Sequence, residues 1–397
     1  MYSQNNGVQN NSFSLEPDSG FLYGHFIERP NRFIVLCSRH GKKISAFLPN
    51  PGRLWELLFP GSILILKTSP ENSEKRKTGY TVIGVLHEGV PIMLDTHENN
   101  RVASWLVETE RIPGLEKFRV KKREVTCGKS RFDFLLRDEK GDYFLEVKSC
   151  TLFKGKFAMF PDSPSERASR HVKELCRLAE SGFRCGVLFV VHSHTPQYFL
   201  PEYHTDPDFA SNLKEASALL DIIPVSVSWE ENLLLSEKGR ILSLPWDILE
   251  AEGKNRGSYI AILELKEEQV ITVGKLGDIF FKKGFYIYVG SGMGNLEQRM
   301  SRHRRKRKNK HWHIDHLLEH AKLLNILPVR SSDRLECEIA LEVRKITESR
   351  ILSFGSSDCS CDSHLFYSSQ NPLIREDFVD VLLYYRIGRL ETMLTGS

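Results

Sequence analysis

The chain is 397 residues long, 41% hydrophobic and 27% charged, with a formal net charge of +4. That length predicts two or three domains, and 10% aromatic residues with only 8 cysteines exclude disordered, collagen-like and disulfide-scaffold classes. A total charge so close to zero says little about partners, and what matters is where the basic residues cluster.

The opening MYSQNNGVQNNSFSLEPDSG has neither a basic stretch nor an apolar run, so residues 1–23 are expected to form a poorly ordered polar tail, not a signal or transit peptide. No run approaches the roughly 18 apolar residues of a membrane span, so no membrane partner is expected. Cys37, Cys176 and Cys185 sit at scattered spacings among apolar or helical residues, as reduced thiols do. The expected location is cytoplasmic.

Residues 24–95 contain the strand-like runs FIVLC, ISAFL, SILILK, YTVIGVLH and VPIMLD, separated by turn residues, which predict a small antiparallel barrel. The polar, basic loop Ser69–Gly79 reads as a hairpin tip. PNPGR, Pro49 to Arg53, either presents Arg53 to a backbone phosphate or is a turn chosen for its backbone conformation. Over residues 96–245 a helix from Arg101 to Arg111, strands at Arg131–Arg137 and YFLEVKS, a helix from Ser165 to Glu180, the strand CGVLFVVH, a helix from Asp208 to Leu220 and a strand from Ile222 to Val227 predict an α/β unit with a mixed sheet. Residues 246–256 read as a linker. Residues 257–367 carry the strands SYIAILEL and FYIYVGS, a basic helix, a helical HWHIDHLLEHAKLL and a helix from Leu335 to Ile346, and residues 368–397 form a terminal amphipathic segment.

Alternation along RFDFLL places Asp133 on a strand face with Arg131, and alternation along FLEVKS places Glu146 with Lys148. With the tight turn DEKGD between the strands, two carboxylates and a lysine are expected at one spot. Such a group suits a hard divalent cation, with the lysine orienting water or offsetting charge on phosphorus. A solvated edge hairpin is the alternative, and the apolar flanks Phe132, Phe134, Leu136, Leu145 and Val147 argue against it. Arg167 and His171, four apart, are spaced to meet a phosphate or else lie on a solvated helix face.

Asp followed by Glu-x-Lys on the next strand resembles the PD-(D/E)XK nuclease core. More narrowly, LPNPGRLWELLFPG, SRFDFLL, LEVKSCTL, MFPDSPSERASRHVKEL, VLFVVH and TDPDFASNLKEA resemble the sugar fermentation stimulation protein A family, collinearly from about Gly24 to Trp246. The resemblance implies an N-terminal OB-fold, a PD-(D/E)XK-like α/β domain, nucleic-acid binding with DNA ahead of RNA, and metal-dependent phosphodiester hydrolysis. Asp133 and Glu146 would then hold Mg²⁺ or Mn²⁺ and Lys148 would position the attacking water. Glu108 and Glu124 are candidates for a further acidic residue, and Arg53, Arg131, Arg167 and His171 for contacts with nucleic acid.

From Arg299 to Lys310 eight of twelve residues are Lys or Arg. Gly257 to Arg330 holds fourteen basic against seven acidic residues, and residues 331–397 seven against eleven. Arg302, Arg304, Arg305, Lys306 and Arg307 are therefore candidate nucleic-acid contacts, the alternative being a solvated surface. Nearby, GSY opens one strand, YVG closes another, and Arg299 and His303 lie one helical turn apart. This resembles the GIY-YIG nuclease pattern, and GFYIYVGSG, WHIDHLL, ECEIA and FGSSDCSCDSHLFY resemble a GIY-YIG-like family of unknown function. The resemblance implies a C-terminal α/β domain in which Tyr259, Tyr288, Arg299 and either Glu336 or Glu338 act, with His303 assisting and Glu336 as the preferred metal ligand. An inserted stretch, VITVGKLGDIFFKKG, reads as an extra hairpin and leaves binding better supported than cleavage. Buried core tyrosines are the alternative.

Cys337, Cys359, Cys361 and His364 would make a Cys₃His zinc set, but the tight C-x-C spacing favours a buried cluster of reduced thiols. His311, His313 and His316 around Trp312 are read as a helix start packing Trp312, Ile314 and Leu317 in preference to a metal site. The whole points to a cytosolic fusion of two nuclease-like units, with a non-enzymatic DNA-binding or regulatory protein as the alternative and a structural interaction module as the third reading.

Overall fold

A computed structural model describes residues 12–17, 20–68, 78–127, 130–305 and 309–394. The chain forms two compact units, the first comprising residues up to Glu202 and Asp208–Leu244, the second Tyr203–Pro207 and residues from Pro245 onward.

In the first unit the strands Leu22–Asn31, Ile34–Arg39, Lys42–Phe47, Ile63–Thr68, Tyr80–His87 and Val90–Met93 form one sheet. Lys42–Phe47 also pairs, in parallel, with Tyr80–His87, and this pairing closes five strands into a barrel. Alternation drives the closure: Val35 and Cys37 on one strand and Leu64 and Leu66 on another point inward and are buried. Gly84 lies where the ladder shifts register, and a Cβ there would come within 2.7 Å of the Ile92 carbonyl. The expected hairpin tip falls on residues 69–77, outside the described residues.

The expected polar tail is folded where it is described. Phe13–Ser14 pairs antiparallel with Leu234–Leu235, Leu15 is buried, and Leu22 already belongs to the barrel. The apolar residues Phe13, Leu15 and Phe21, isolated in a polar stretch, find their partners in the core of this unit.

A six-stranded mixed sheet follows, in the order Arg240–Ile241, Asp221–Ser226, Arg184–Val191, Gly141–Cys150, Ser130–Asp138, Arg119–Cys127. Its three central pairings are parallel, parallel and antiparallel, because a helix links each parallel pair and a tight turn joins the hairpin. Helix Asn99–Glu108 covers one face with Val102, Ala103, Leu106 and Val107. Helix Glu166–Glu180, capped by the Ser165 hydroxyl accepting from Ala168 N at 3.2 Å, buries Ala168, His171, Val172 and Leu175. Ile65, Ile83 and Met93 of the barrel share a core with Phe134, Leu145, Val147 and Leu188 of the sheet. A three-stranded sheet of Leu152–Lys154, Phe157–Phe160 and Tyr198–Pro201 was not foreseen, its strands being too short to show a period.

The second unit is built on a five-stranded antiparallel sheet, in the order Lys322–Arg330, Gly257–Leu265, Gly284–Ser291, Leu365–Ser368, Ser349–Arg350. The inserted stretch forms a hairpin of Gln269–Thr272 and Asp278–Phe281. Two expectations are corrected. Residues 246–256 are no linker: Trp246–Glu252 is a helix with Ile248, Leu249 and Glu252 buried. HWHIDHLLEHAKLL is helical only over His313–Leu317, and its final KLL opens the strand Lys322–Arg330. The terminal segment is packed, with Phe378, Val379, Leu382 and Leu383 of helix Glu376–Leu383 buried. Among the described residues no helix is long and apolar enough to cross a membrane.

Candidate active sites

The hairpin ladder between Ser130–Asp138 and Gly141–Cys150 runs as far as Leu145 opposite Phe134 and then stops. At the next position the Asp133 carboxylate replaces the backbone partner: its Oδ2 accepts from Val147 N at 2.8 Å and its Oδ1 from Asn100 Nδ2 at 2.8 Å. Glu146 lies alongside, its side chain 3% exposed, and its Oε1 accepts from both Lys148 Nζ and His171 Nδ1. Its other oxygen, Oε2, is buried and without a hydrogen-bond partner. A carboxylate oxygen left so is costly unless something cationic meets it.

The two carboxyls are pushed in opposite directions. Burial first, and then the charge of Glu146, raise Asp133 above the ordinary carboxylate range. Burial is also the largest influence on Glu146, but hydrogen bonds and positive charge from His171 and Lys148 together hold it below that range. Such a split between neighbouring acids is characteristic of functional sites. The group is a hard, oxygen-rich donor set with one buried oxygen to spare, so it fits a small divalent cation on its own chemistry.

The other candidates of this unit are placed as follows. His171 is buried and turned to Glu146, so it belongs to the acidic group and does not meet a phosphate from an exposed helix face, whereas Arg167 is exposed. Arg131 is exposed and 3.5 Å from Glu124, and Glu108 is 3.7 Å from Arg123, so neither glutamate pairs into the site. Arg53 lies over Trp55 at 4.9 Å. Its loop is tied down by Arg29, whose guanidinium donates to the carbonyls of Asn50, Gly52, Arg53 and Arg32, and by Asp162, whose Oδ2 accepts from Leu54 N at 2.7 Å.

In the second unit a cavity of about 240 Å³ is lined by Tyr259, Tyr288, Ser291, Arg299, Trp312 and Glu336, among others. The Tyr259 hydroxyl is 2.7 Å from His303 Nε2. Burial first, then the neighbouring Tyr288, raise Tyr259, and burial first, then Glu336, raise Tyr288, so both phenols keep their protons at neutral pH. Arg299 and Arg302 each lie 4.1 Å from the Trp312 ring centroid. Glu336 Oε2 accepts from the Ser291 hydroxyl, and Oε1 is 3.2 Å from His364 Nδ1. Of the two glutamates considered, Glu336 lines the cavity and Glu338 does not.

The basic run divides. Arg302 is committed to Asp315, at 3.0 and 2.9 Å, whose Oδ2 also accepts from His311 N and Trp312 N. It braces the cavity wall and is not an open phosphate contact. Arg304 and Arg305 are exposed, and Lys306 and Arg307 lie outside the described residues. His311 and His313 line the cavity, and His313 Nδ1 accepts from Gly355 N at 3.1 Å.

Residues 27–94 match the family described as SfsA N-terminal OB domain, and residues 97–232 the one described as sugar fermentation stimulation protein RE domain. A sugar fermentation stimulation protein homolog from Methanothermobacter thermautotrophicus is 38% identical over 212 residues, 53% of this chain and 88% of that protein. The chain belongs to the sugar fermentation stimulation protein family. A homolog from Methanosphaera stadtmanae is 39% identical over 56% of this chain and 94% of its own length. The solved structure of Pyrococcus furiosus SfsA in complex with Ca²⁺ superposes with a TM-score of 0.53 at 33% identity, covering 58% of this chain and 99% of that one. Residues 258–385 match a domain of unknown function, DUF123, so this chain joins an SfsA part to a second, separately classified domain.

Several site neighbours escape sequence reasoning. Asn100 and Arg29 sit in no motif, and Ser291 follows YVG without distinguishing itself. His171 is legible as a polar residue at helical spacing, but its inward orientation is not. The sequence pattern makes Trp312 a packing residue, yet it is the platform for two arginines.

Proposed function

We propose that the chain is a metal-dependent phosphodiester hydrolase acting on nucleic acid, DNA foremost, with Asp133, Glu146 and Lys148 as its working group. The observation that carries this reading is the buried, unpaired Oε2 of Glu146 beside a second carboxylate and a lysine. Asp133 and Glu146 would hold Mg²⁺ or Mn²⁺, and the structure of Pyrococcus furiosus SfsA as a complex with Ca²⁺ agrees with an oxygen-donor site in the family. When bound, such an ion supplies Lewis-acid activation of water and of the phosphoryl oxygen. Asn100 and Val147 N fix the Asp133 carboxylate, and His171 with Lys148 fixes that of Glu146. Lys148, hydrogen-bonded to Glu146, would orient the water or stabilise negative charge on phosphorus.

The second cavity supports a second phosphodiester site in the GIY-YIG manner. Neutral Tyr259 and Tyr288 would orient water, Arg299, stacked on Trp312, would face the phosphate, and Glu336 would take a metal ion. Exposed Arg304 and Arg305 would extend the contact along the nucleic acid backbone.

The test is a panel of labelled single-stranded, duplex and branched DNA and RNA, incubated with the full chain and Mg²⁺, Mn²⁺ or EDTA. Cleavage with either metal, abolished by EDTA and by Glu146→Ala combined with Tyr288→Phe, is expected. Undiminished cleavage by the double variant would reject both assignments, and salt-sensitive binding indifferent to EDTA, without product, would favour a non-enzymatic DNA-binding protein.

A further inference from the structure

Three thiols and one imidazole from two separate stretches converge in the second unit. Cys337 lies in the first turn of helix Glu336–Lys345, and Cys359, Cys361 and His364 belong to the loop leading into strand Leu365–Ser368. One donor atom from each lies within 4.8 Å of all the others. Cys359 Sγ is 3.5 Å and Cys337 Sγ 4.0 Å from His364 Nε2. A tetrahedral ion at about 2.3 Å from sulfur and about 2.0–2.1 Å from nitrogen sets its donors roughly 3.5–3.8 Å apart, so closing on one requires side-chain shifts of about 1 Å at most.

Two further features favour a metal over packed thiols. The first is the imidazole: Nδ1 sits 3.2 Å from Glu336 Oε1, within reach of a hydrogen bond to the carboxylate, while Nε2 faces the sulfurs of Cys359 and Cys337. A histidine oriented by a carboxylate through its second nitrogen is the usual arrangement behind a metal ligand. The second is exposure. Cys37, Cys150 and Cys185 are buried as structural thiols should be, whereas Cys337, Cys359 and Cys361, like Cys127 and Cys176 of the first unit, are only partly buried. Apolar packing does not account for bringing three partly exposed thiols together.

The surrounding backbone holds the loop in place. His364 N donates to Phe354 O at 2.8 Å, Val289 N donates to His364 O at 2.9 Å, and the Asp362 carboxylate lies 2.8 Å from Arg344.

We propose that Cys337, Cys359, Cys361 and His364 bind one Zn²⁺ in a closed Cys₃His site of structural type. This reverses the preference for a reduced-thiol cluster drawn from the C-x-C spacing. Four protein ligands leave no open position, so the ion holds structure and does no chemistry. What it holds is the wall of the neighbouring cavity. Glu336 is fixed between His364 on one oxygen and Ser291 on the other, and Gly355, Ser357 and Asp358 of the same loop line that cavity. The zinc site stands whatever chemistry the cavity performs.

The test uses the full chain purified under reducing conditions without added metal. Elemental analysis is expected to find one zinc per chain, and replacement by Co²⁺ to produce the visible bands of tetrahedral cobalt with a near-ultraviolet thiolate-to-cobalt charge-transfer band. Cys359→Ser and Cys361→Ser are expected to lose the zinc, while Cys176→Ser, on a helix of the first unit, keeps it. If the cluster variants do not fold, the cobalt spectrum of the unmodified chain decides. Absence of thiolate bands at saturating Co²⁺, full zinc retention by Cys361→Ser, or a disulfide within the cluster in freshly reduced protein would overturn the proposal.

Discussion

Replacing Glu146 by Gln tests the first site with little change of shape. In the native protein Oε1 accepts two charge-assisted hydrogen bonds, from Lys148 and His171. The Gln carbonyl still accepts both, now as a neutral group, and each bond weakens by about 1 kcal/mol, the difference between charged and neutral acceptors. Against that total of about 2 kcal/mol stand the relief of burying a charge and the lost repulsion with Asp133. The metal-free variant is therefore expected to lose about 1 kcal/mol, or about 2–4 °C in a unit of this size. Because the folded Glu146 carboxyl lies below its unfolded value of about 4.3, its stabilisation is complete above that pH and is lost as pH falls through the folded value. The deficit of the variant should be constant near neutrality and shrink in acid. Metal separates function from stability: at about 100 times its dissociation constant Mn²⁺ is expected to stabilise the native chain by about 2.7 kcal/mol, and Gln at this position to remove that gain. Cleavage should fall by more than the roughly 10–100-fold that loss of an outer-shell partner costs. Thermal denaturation with and without Mn²⁺, run beside the cleavage assay, reads both effects. A Gln variant that keeps the native metal-induced shift would refute the placement of the ion at Glu146.

Since folding raises Asp133, protons compete with metal there over a higher pH range than at an ordinary aspartate, and Mn²⁺ affinity by calorimetry should fall steeply as pH is lowered through that range. Glu252→Gln should cost about 3–5 kcal/mol, because its carboxylate, 0% exposed, pairs with Arg389, which stays buried without its anion; a melt of the second unit within 1 kcal/mol of native would contradict this. Trp312→Ala removes the ring beside Arg299 and Arg302, each stacking worth about 0.5–2 kcal/mol, and should weaken nucleic-acid binding in a salt titration without changing the cleavage of the first site. Arg29→Met strips three carbonyls of the PNPGR loop and that of Arg32 of their donor and should destabilise the barrel by about 2–4 kcal/mol in urea.

The barrel and the mixed sheet were legible because their strands are long enough to show period two and their turns carry Gly, Asn and Asp. The three-stranded sheet and the strand beginning at Lys322 were missed for the opposite reasons. The former is too short to show a period, and KLLNILPVR is apolar nearly throughout, which helix and buried strand share. The residues of 246–256 looked like a linker because their charges are dense. Glu252 is nonetheless buried, neutralised by Arg389 some 137 positions later, a pairing with no local signature.

Alternation and turn chemistry act between neighbours along the chain, so the sequence alone determined that Asp133, Glu146 and Lys148 stand on adjacent strands and that Tyr259 and Tyr288 stand on two strands of the second unit. Only the tertiary structure decided what each side chain meets. It set His171 and Lys148 on one oxygen of Glu146, left the other unpaired, committed Arg302 to Asp315, and drew Cys337 to a loop more than twenty residues away. Those choices depend on burial and on charges brought together through space, and separation along the chain carries no record of either.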